Sequence, residues 1–425
     1  MVPDNGTPGE GCPVSPRHPR RRSFLFGAAG AAVGAAAGAG GTAAALASEE
    51  APEPAAGRDE DGANAGSTVG FHGNRQAGVD TTAQAHAGFV GLDLLAPKGR
   101  KHPPADDVRR LLRLLSDDAS RLCAGRPPLA DSEPELAVSP SNLSITFGFG
   151  PGLLDAVAPA QKPEWLRPLP AFGIDELTEE YGQTDLLLQI CSDDPLALAH
   201  AQRMLLKDAR SFTRLRWIQT GFRTAYGSAE EGATMRNLFG QLDGTGNPLR
   251  EAREQALWGG DRIPAWTPGG TSLVLRRIAM DLDEWDRVDR PGRDFALGRH
   301  QSTGAPLTGS KEHDVPNLGA TDDGGLKVIS PQSHVARATA QKPGEKIVRR
   351  AYNYDDGAAD SHGLPGSGLL FASYQADVDR QFLPIQRRLD ESDMLNEWTT
   401  PIGSAVYAVP PGCPEGGFIG EELFG

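Results

Sequence analysis

The sequence predicts an α+β protein made of two similar units, each an antiparallel sheet covered by helices. Two observations carry this. In each half an apolar run is followed by an Asp and then by a helical stretch. The first half has Leu186–Cys191, Asp194 and a run ending in Ala201–Leu205. The second has Leu369–Tyr374, Asp377 and a run ending in Ile385–Leu389. Asp194 and Asp377 are 183 positions apart, and Gln202 and Gln386 are 184 apart, so one residue of slippage aligns both pairs. Each half also has an earlier strand candidate, Leu143–Phe147 and Ser272–Ile278. Such an alternation, repeated once, fits a duplicated layer of sheet and helices. Two unrelated amphipathic strand–helix pieces would give a similar pattern, and periodicity alone leaves that alternative open.

Residues 1–47 read as a targeting signal. Arg20, Arg21 and Arg22 precede Ser23, Phe24 and Leu25, an R-R-x-F-L pattern of the twin-arginine kind. An Ala/Gly-rich stretch from Gly27 to about Ala45 follows, then a small-x-small site at Ala45-Leu46-Ala47. The expectation is export by the twin-arginine machinery to an extracellular or cell-envelope location. That route carries folded proteins and commonly those that first acquire a cofactor. The Ala/Gly stretch is too weakly apolar for a permanent span, and no later run is long enough. Residues 48–67 are acidic and rich in Ala, Gly and Pro, and read as a disordered linker. Two units are expected to follow, over 68–228 and 229–425.

Charge and cysteine exclude several functions. The full chain carries a net charge of −14, and loss of residues 1–47 removes four basic and two acidic residues, leaving −16. A chain this acidic repels phosphate backbones, so nucleic acid is excluded as a partner. Cys123, Cys191 and Cys413 remain after the signal, an odd number. No C-x-x-C-H occurs, which excludes covalent c-type haem attachment, and no C-x-x-C pair offers a zinc or iron–sulfur site.

Three segments could carry chemistry. The first is Asn237–Pro248, which contains Gly240, Asp243 and Gly244. Asp-Gly and Asn-Pro are turn dipeptides, so a plain turn explains it. The glycines would also let backbone pass close to a flat cofactor and aim one carboxylate at it. A carboxyl group in an apolar cavity can shuttle a proton. The second is His334, just after Val328-Ile329-Ser330-Pro331, where a side chain could be fixed in the interior. Lone histidines are usually structural, but a neutral imidazole is the usual proximal ligand of peroxidase haem iron. The third is Arg349-Arg350 in Lys346–Tyr354. On a strand neighbouring side chains face opposite ways, so one Arg could enter a pocket while the other meets solvent.

These residues together resemble the dye-decolorizing peroxidases. Gly240-x-x-Asp243-Gly244 is similar to the family's GxxDG signature, His334 to its axial haem ligand and Ile347-Val348-Arg349-Arg350 to its distal Arg segment. Phe71-His72-Gly73 with Gln76-Ala77-Gly78, Thr146–Gly150, Gly304–Leu307, Gln375–Asp377 and Gly403–Val406 extend the resemblance over nearly all of the mature chain. The exported, A-type branch is nearest in form. Arg75 stands where a His is expected before Gln-Ala-Gly.

The resemblance implies two ferredoxin-like units in a dimeric α/β-barrel-like arrangement, with one non-covalent haem b in the C-terminal unit. It implies that His334 binds iron, that Gly240, Gly244 and Arg349 line the cofactor, and that Asp243 passes the proton of hydrogen peroxide between its oxygens, helped by Arg349. Arg349 is preferred over Arg350 from the alignment of the motif. Small aromatic or metal-ion reductants would supply the electrons, through Tyr352, Tyr354, Tyr374, Trp266 or Trp398 where the donor is bulky. An Asp base implies an acidic optimum, because carboxyl groups protonate well below imidazole. The second nitrogen of His334 needs a carboxylate or carbonyl partner, for which Asp377 is the candidate, a helix N-cap being its other reading. Competing readings are a haem-handling deferrochelatase or iron-uptake protein of the same fold, a haem carrier, and a binding module without haem.

Overall fold

The computed structural model describes residues 64–230, 232–259, 266–357, 363 and 365–424. The signal expected over 1–47 lies outside the described residues, as does all of the linker but 64–67. Asn64 is already tied to the body of the protein, its Nδ2 donating to Asp193 at 2.8 Å. Among the described residues no helix is long and apolar enough to cross a membrane.

The first unit runs β1 (His86–Leu94), α1 (Ala105–Cys123), β2 (Ser144–Phe149), α2 (Pro151–Val157), β3 (Leu186–Ser192), α3 (Pro195–Ala209) and β4 (Thr213–Phe222). Its strands lie in the order β2-β3-β1-β4, all antiparallel. The second runs α4 (Arg250–Trp258), β5 (Thr271–Met280), α5 (Leu282–Asp286), α6 (Arg290–Leu297), α7 (His334–Ala338), β6 (Val348–Arg349), β7 (Tyr352–Asp355), β8 (Ser367–Gln375), a π-helical turn (Val378–Phe382), α8 (Leu383–Ser392) and β9 (Thr399–Val409). Here β5 sits between β9 and β8, and β6 and β7 pair with β8. Both halves therefore place their first strand centrally, beside the strand that precedes the last helix. This is the ferredoxin-like order, made twice.

The duplicated Asp residues now have one shared role. Asp194 accepts hydrogen bonds from the N–H groups of Leu196 and Ala197 at the start of α3. Asp377 accepts from those of Asp379 and Arg380 where the π turn leads into α8. An Asp at the N-cap fills donors that the helix cannot satisfy internally. The repeated Asp thus marks the same strand-to-helix junction in both units.

The two sheets join into one closed ring. β2 meets β9 through Phe149 and Ala408, and β4 meets β7 through Phe222 and Asn353. These seams have little backbone pairing, and side-chain amides bridge the first of them. Gln76 Nε2 donates to the carbonyls of Phe147 and Pro410, and its Oε1 accepts from Phe147 N. Gln183 does the same with both backbone groups of Val406. Each primary amide replaces a missing peptide partner, which accounts for a buried Gln in the Gln76-Ala77-Gly78 segment.

Strand alternation gives the ring two apolar faces. On β1 and β3, Ala87, Phe89, Leu187 and Cys191 point into the barrel, where they meet Tyr352, Tyr354, Tyr374 and Tyr407. Val90, Leu92, Leu186, Leu188 and Ile190 point outward and are covered by α1 and α3. α1 supplies Val108, Leu111, Leu112, Leu115, Ala119 and Leu122, one stripe at helical spacing. Burial on both faces explains why β3 reads as an unbroken apolar run.

One buried carboxyl group in this layer titrates abnormally. Asp118 of α1 lies against Asp208 of α3, and burial, then the neighbouring carboxyl, push it up to about 8. Its unfolded value is near 3.9. A raised folded value means the folded chain binds the extra proton, so its contribution is fully present below about pH 4 and lost as pH rises to about 8. Asp118→Asn is expected to raise the melting temperature at pH 8, by the equivalent of ~1–2 kcal/mol, with the gain shrinking towards pH 4. Thermal melts at three pH values check this, and a gain independent of pH would contradict it.

Candidate active site

The loop expected to carry chemistry is held from end to end. Asp243 N donates to Met235 O at 2.8 Å, and Asn237 N to Gln241 O at 3.0 Å. Gly240 has φ +80°, and a Cβ there would stand 2.7 Å from Gln301 Nε2, so this position needs glycine. Gly244, after the Asp, has φ +139°. Arg236 donates to the carbonyls of Gly240, Gln301 and Ser302 and fastens the loop to the following segment. The Asp243 carboxylate is nearly buried, with 7 % of its side chain exposed.

Arg349 reaches this carboxylate. Its Nη1 donates to Asp243 Oδ1 at 2.8 Å. Asn247 sets the register: its Nδ2 donates to Arg349 O and its Oδ1 accepts from Arg349 N, both at 2.8 Å. Asn247 therefore couples the Asp243 loop to β6 as a strand neighbour would. In the sequence Asn247 stands out only as part of the turn dipeptide Asn247-Pro248.

The expected split between Arg349 and Arg350 is present, with one correction. Arg350 does not face solvent. It enters the barrel, where it donates to the carbonyls of Thr81 and Thr82 and to Gln84 Oε1. Solvent is unavailable on that side because the sheet is closed, so the inward face of β6 and its continuation is core. Arg349, on the outward face, is the Arg that meets Asp243.

His334 is the first residue of α7, and Ser333 caps that helix. Its Nδ1 lies 2.6 Å from Asp393 Oδ2. Asp393 Oδ1 accepts from Leu395 N at 3.0 Å, which fixes the carboxylate while its other oxygen holds the imidazole. The expectation that Asp377 serves His334 is thereby corrected. The Asp377 carboxylate is committed to the helix start described above, and Asp393 holds the imidazole from the turn after α8. Asp393 has no motif around it, and only the chain path after α8 brings it to His334.

Electrostatics put these groups within range of one another. Burial works against a charged His334, but the Asp393 charge and hydrogen bond together outweigh it and raise its pKa. Arg349 opposes and Asp243 favours the imidazolium, so both are near enough to act on it. His334 keeps 29 % of its side-chain surface accessible, and Nε2 has no hydrogen-bond partner among the described residues. The donor set fits haem: one imidazole anchored through its far nitrogen faces a carboxylate–guanidinium pair. Among the described residues no cluster of His, Cys, Asp and Glu could otherwise hold a metal ion.

The aromatic side chains considered as electron routes sit in different places. Tyr352, Tyr354 and Tyr374 are inside the barrel. Trp266 is buried and donates to Gln161 O. Trp398 meets Trp285 edge-on at 5.0 Å, and Trp285 stacks on Phe239 at 4.5 Å. Arg75, the departure noted above, stacks on Trp258 and pairs with Glu254 of α4.

Comparison with known proteins makes this chain an oxidoreductase acting on peroxide. The Dyp-type peroxidase N-terminal model matches residues 76–223 and the C-terminal model residues 234–414, and the chain belongs to this family. A dye-decolorizing peroxidase of Thermobifida fusca is 37% identical over 82% of this chain and 83% of its own length. A deferrochelatase of Escherichia coli is 33% identical over 83% and 86%. The crystal structure of a DyP-type peroxidase from Cellulomonas bogoriensis matches with a TM-score of 0.81 at 48% identity, covering 85% of this chain and 99% of that one. An oxyferrous complex of DtpA from Streptomyces lividans matches at 0.79 and 37%, covering 85% and 99%.

Proposed function

We propose that the protein reduces hydrogen peroxide at one non-covalently bound haem b and oxidises small one-electron donors such as phenols or dyes. The observation that supports this most directly is the Asp243–Arg349 pair facing the anchored His334. Haem, when bound, supplies the iron that takes up peroxide and the capacity to accept two oxidising equivalents. His334 Nε2 would hold that iron, and Asp393 fixes the ring and raises its basicity. Asp243 would take a proton from one oxygen of hydrogen peroxide and return it to the departing one. The Arg349 guanidinium offsets the negative charge that develops on the leaving oxygen. The loop hydrogen bonds keep the carboxylate aimed before substrate arrives, so little reorganisation is needed at reaction. A carboxylic shuttle supports an acidic optimum for peroxide reduction. The A-type assignment and export by the twin-arginine route belong to this reading, and rest on the resemblance and on residues 20–25.

The test is the visible spectrum of the haem-loaded protein before and after one equivalent of peroxide. A haem band that shifts on peroxide addition and is restored by a phenolic donor is expected. A band that peroxide leaves unchanged, or only bleaches, would replace this reading with a second one. That second reading is haem handling, and the Escherichia coli deferrochelatase supports it. Iron release from haem without peroxide turnover would favour it.

A further inference from the structure

Glu312 has no part in the roles above, yet it is built into the loop that carries Asp243. Its Oε1 accepts the hydroxyl hydrogen bonds of Thr234 at 2.5 Å and Thr245 at 2.8 Å. Thr245 directly follows Asp243-Gly244, and the Thr234 methyl lies 3.4 Å from where a Gly244 Cβ would stand. Between them Arg236 bridges Leu242, and Asp243 N is held by Met235. One carboxylate oxygen thus ties the entry and the exit of the Asp243 loop.

Glu312 also belongs to a charge cluster. Arg299 donates to the backbone carbonyls of Gly304 and Glu312, and its guanidinium feels Glu312 as attraction and Arg349 as repulsion. Burial works against the Glu312 charge, but the two threonine hydroxyls, then His313 and Arg299, hold its carboxyl below the usual range. His313 lies 4.0 Å away at the surface. Asp243 itself is faced by Arg349, by the half-buried Arg223 and by His334. Four guanidinium groups, those of Arg223, Arg236, Arg299 and Arg349, thus gather around this region, and Glu312 is the second carboxylate that offsets them.

We propose that Glu312 is a positioning residue for the peroxide reaction, one that aims Asp243 by tying its loop and balances Arg299 beside Arg349. The inference rests on reading Asp243 as the proton shuttle. Removing the Glu312 charge would leave Asp243 among positive groups and favour its ionised form. Loosening the loop would misplace the carboxylate, and small displacements of a shuttle cost rate steeply.

The experiment compares the wild-type protein with Glu312→Gln and Thr245→Val. Hydrogen–deuterium exchange across 237–247 is read first and needs no turnover. The second-order rate with peroxide is then read against pH on haem-loaded protein. In Glu312→Gln we expect faster exchange in that stretch alone, a rate about 10–100-fold lower and an acid limb moved to lower pH. An unmoved acid limb, or a rate and exchange equal to wild type, would overturn the proposal. Should Glu312→Gln fail to hold haem, Thr245→Val decides. It keeps the charge and removes one tie, so faster exchange with a slower reaction supports the proposal and wild-type values overturn it. An Asp243→Ala protein that reacts as wild type would instead fault the shuttle reading, which separates the two failures.

Discussion

Asp243→Asn is expected to slow the reaction of the haem-loaded protein with peroxide by about 10²–10⁴-fold. The substitution keeps the shape of the side chain and leaves one oxygen to accept from Arg349, so the loop should stay in place. It removes the group that can take a proton and give it back. Haem content should be unchanged, because the iron ligand expected here is His334 and the Asp243 backbone is held by Met235 whatever its side chain. Arg349→Leu should also lower the rate, and the double variant should be little slower than the worse single one, because the two act as a unit joined at 2.8 Å. Stopped-flow rates and haem absorbance measure both effects. A rate within threefold of wild type for Asp243→Asn would remove the carboxylate from the proton path.

How far the sequence foretold this site depends on the range of each signal. The GxxDG loop was legible because its glycines answer a local need, positive φ at Gly240 beside Gln301. That the two arginines part company followed from strand alternation, and the choice of Arg349 followed from the resemblance, both local to β6. The destination of Arg350 was not legible, since it depends on the closure of the nine-stranded sheet into a ring through β5 and β8, a contact between residues far apart in sequence. The duplication was read from Asp194 and Asp377, and the caps explain why: an Asp at a strand-to-helix junction has a mechanical reason to recur. The partner of His334 was less legible. Asp377 stood out because it follows a core strand in the second half, but its carboxylate is spent on backbone donors at the helix start. Asp393 and Glu312 act across 59 and 67 residues, from turns with no pattern of their own.

The largest expected loss of cofactor comes from His334→Ala, and the distinction between Asp393 and Asp377 gives that prediction its resolving power. Among the described residues His334 is the one imidazole near Asp243 and Arg349 that is fixed by a buried carboxylate, so its removal should leave a folded protein that does not retain haem after reconstitution and gel filtration. Asp393→Asn keeps a hydrogen-bond acceptor for Nδ1 but removes the charge that raises the basicity of the ring. Haem affinity should fall about 10–100-fold, the usual cost of losing such a partner. Asp377→Ala should behave differently. It removes a helix cap worth ~1 kcal/mol, so the melting temperature should drop while haem affinity stays at the wild-type value. Titration of the three apo-proteins with haem, beside thermal melts, reads both quantities. Equal loss of haem affinity in Asp393→Asn and Asp377→Ala would mean that the variants act through the packing of α8 and not through the imidazole. Full haem binding by His334→Ala would remove His334 as the ligand, and with it the reason for reading Asp243 and Arg349 as the groups that meet peroxide.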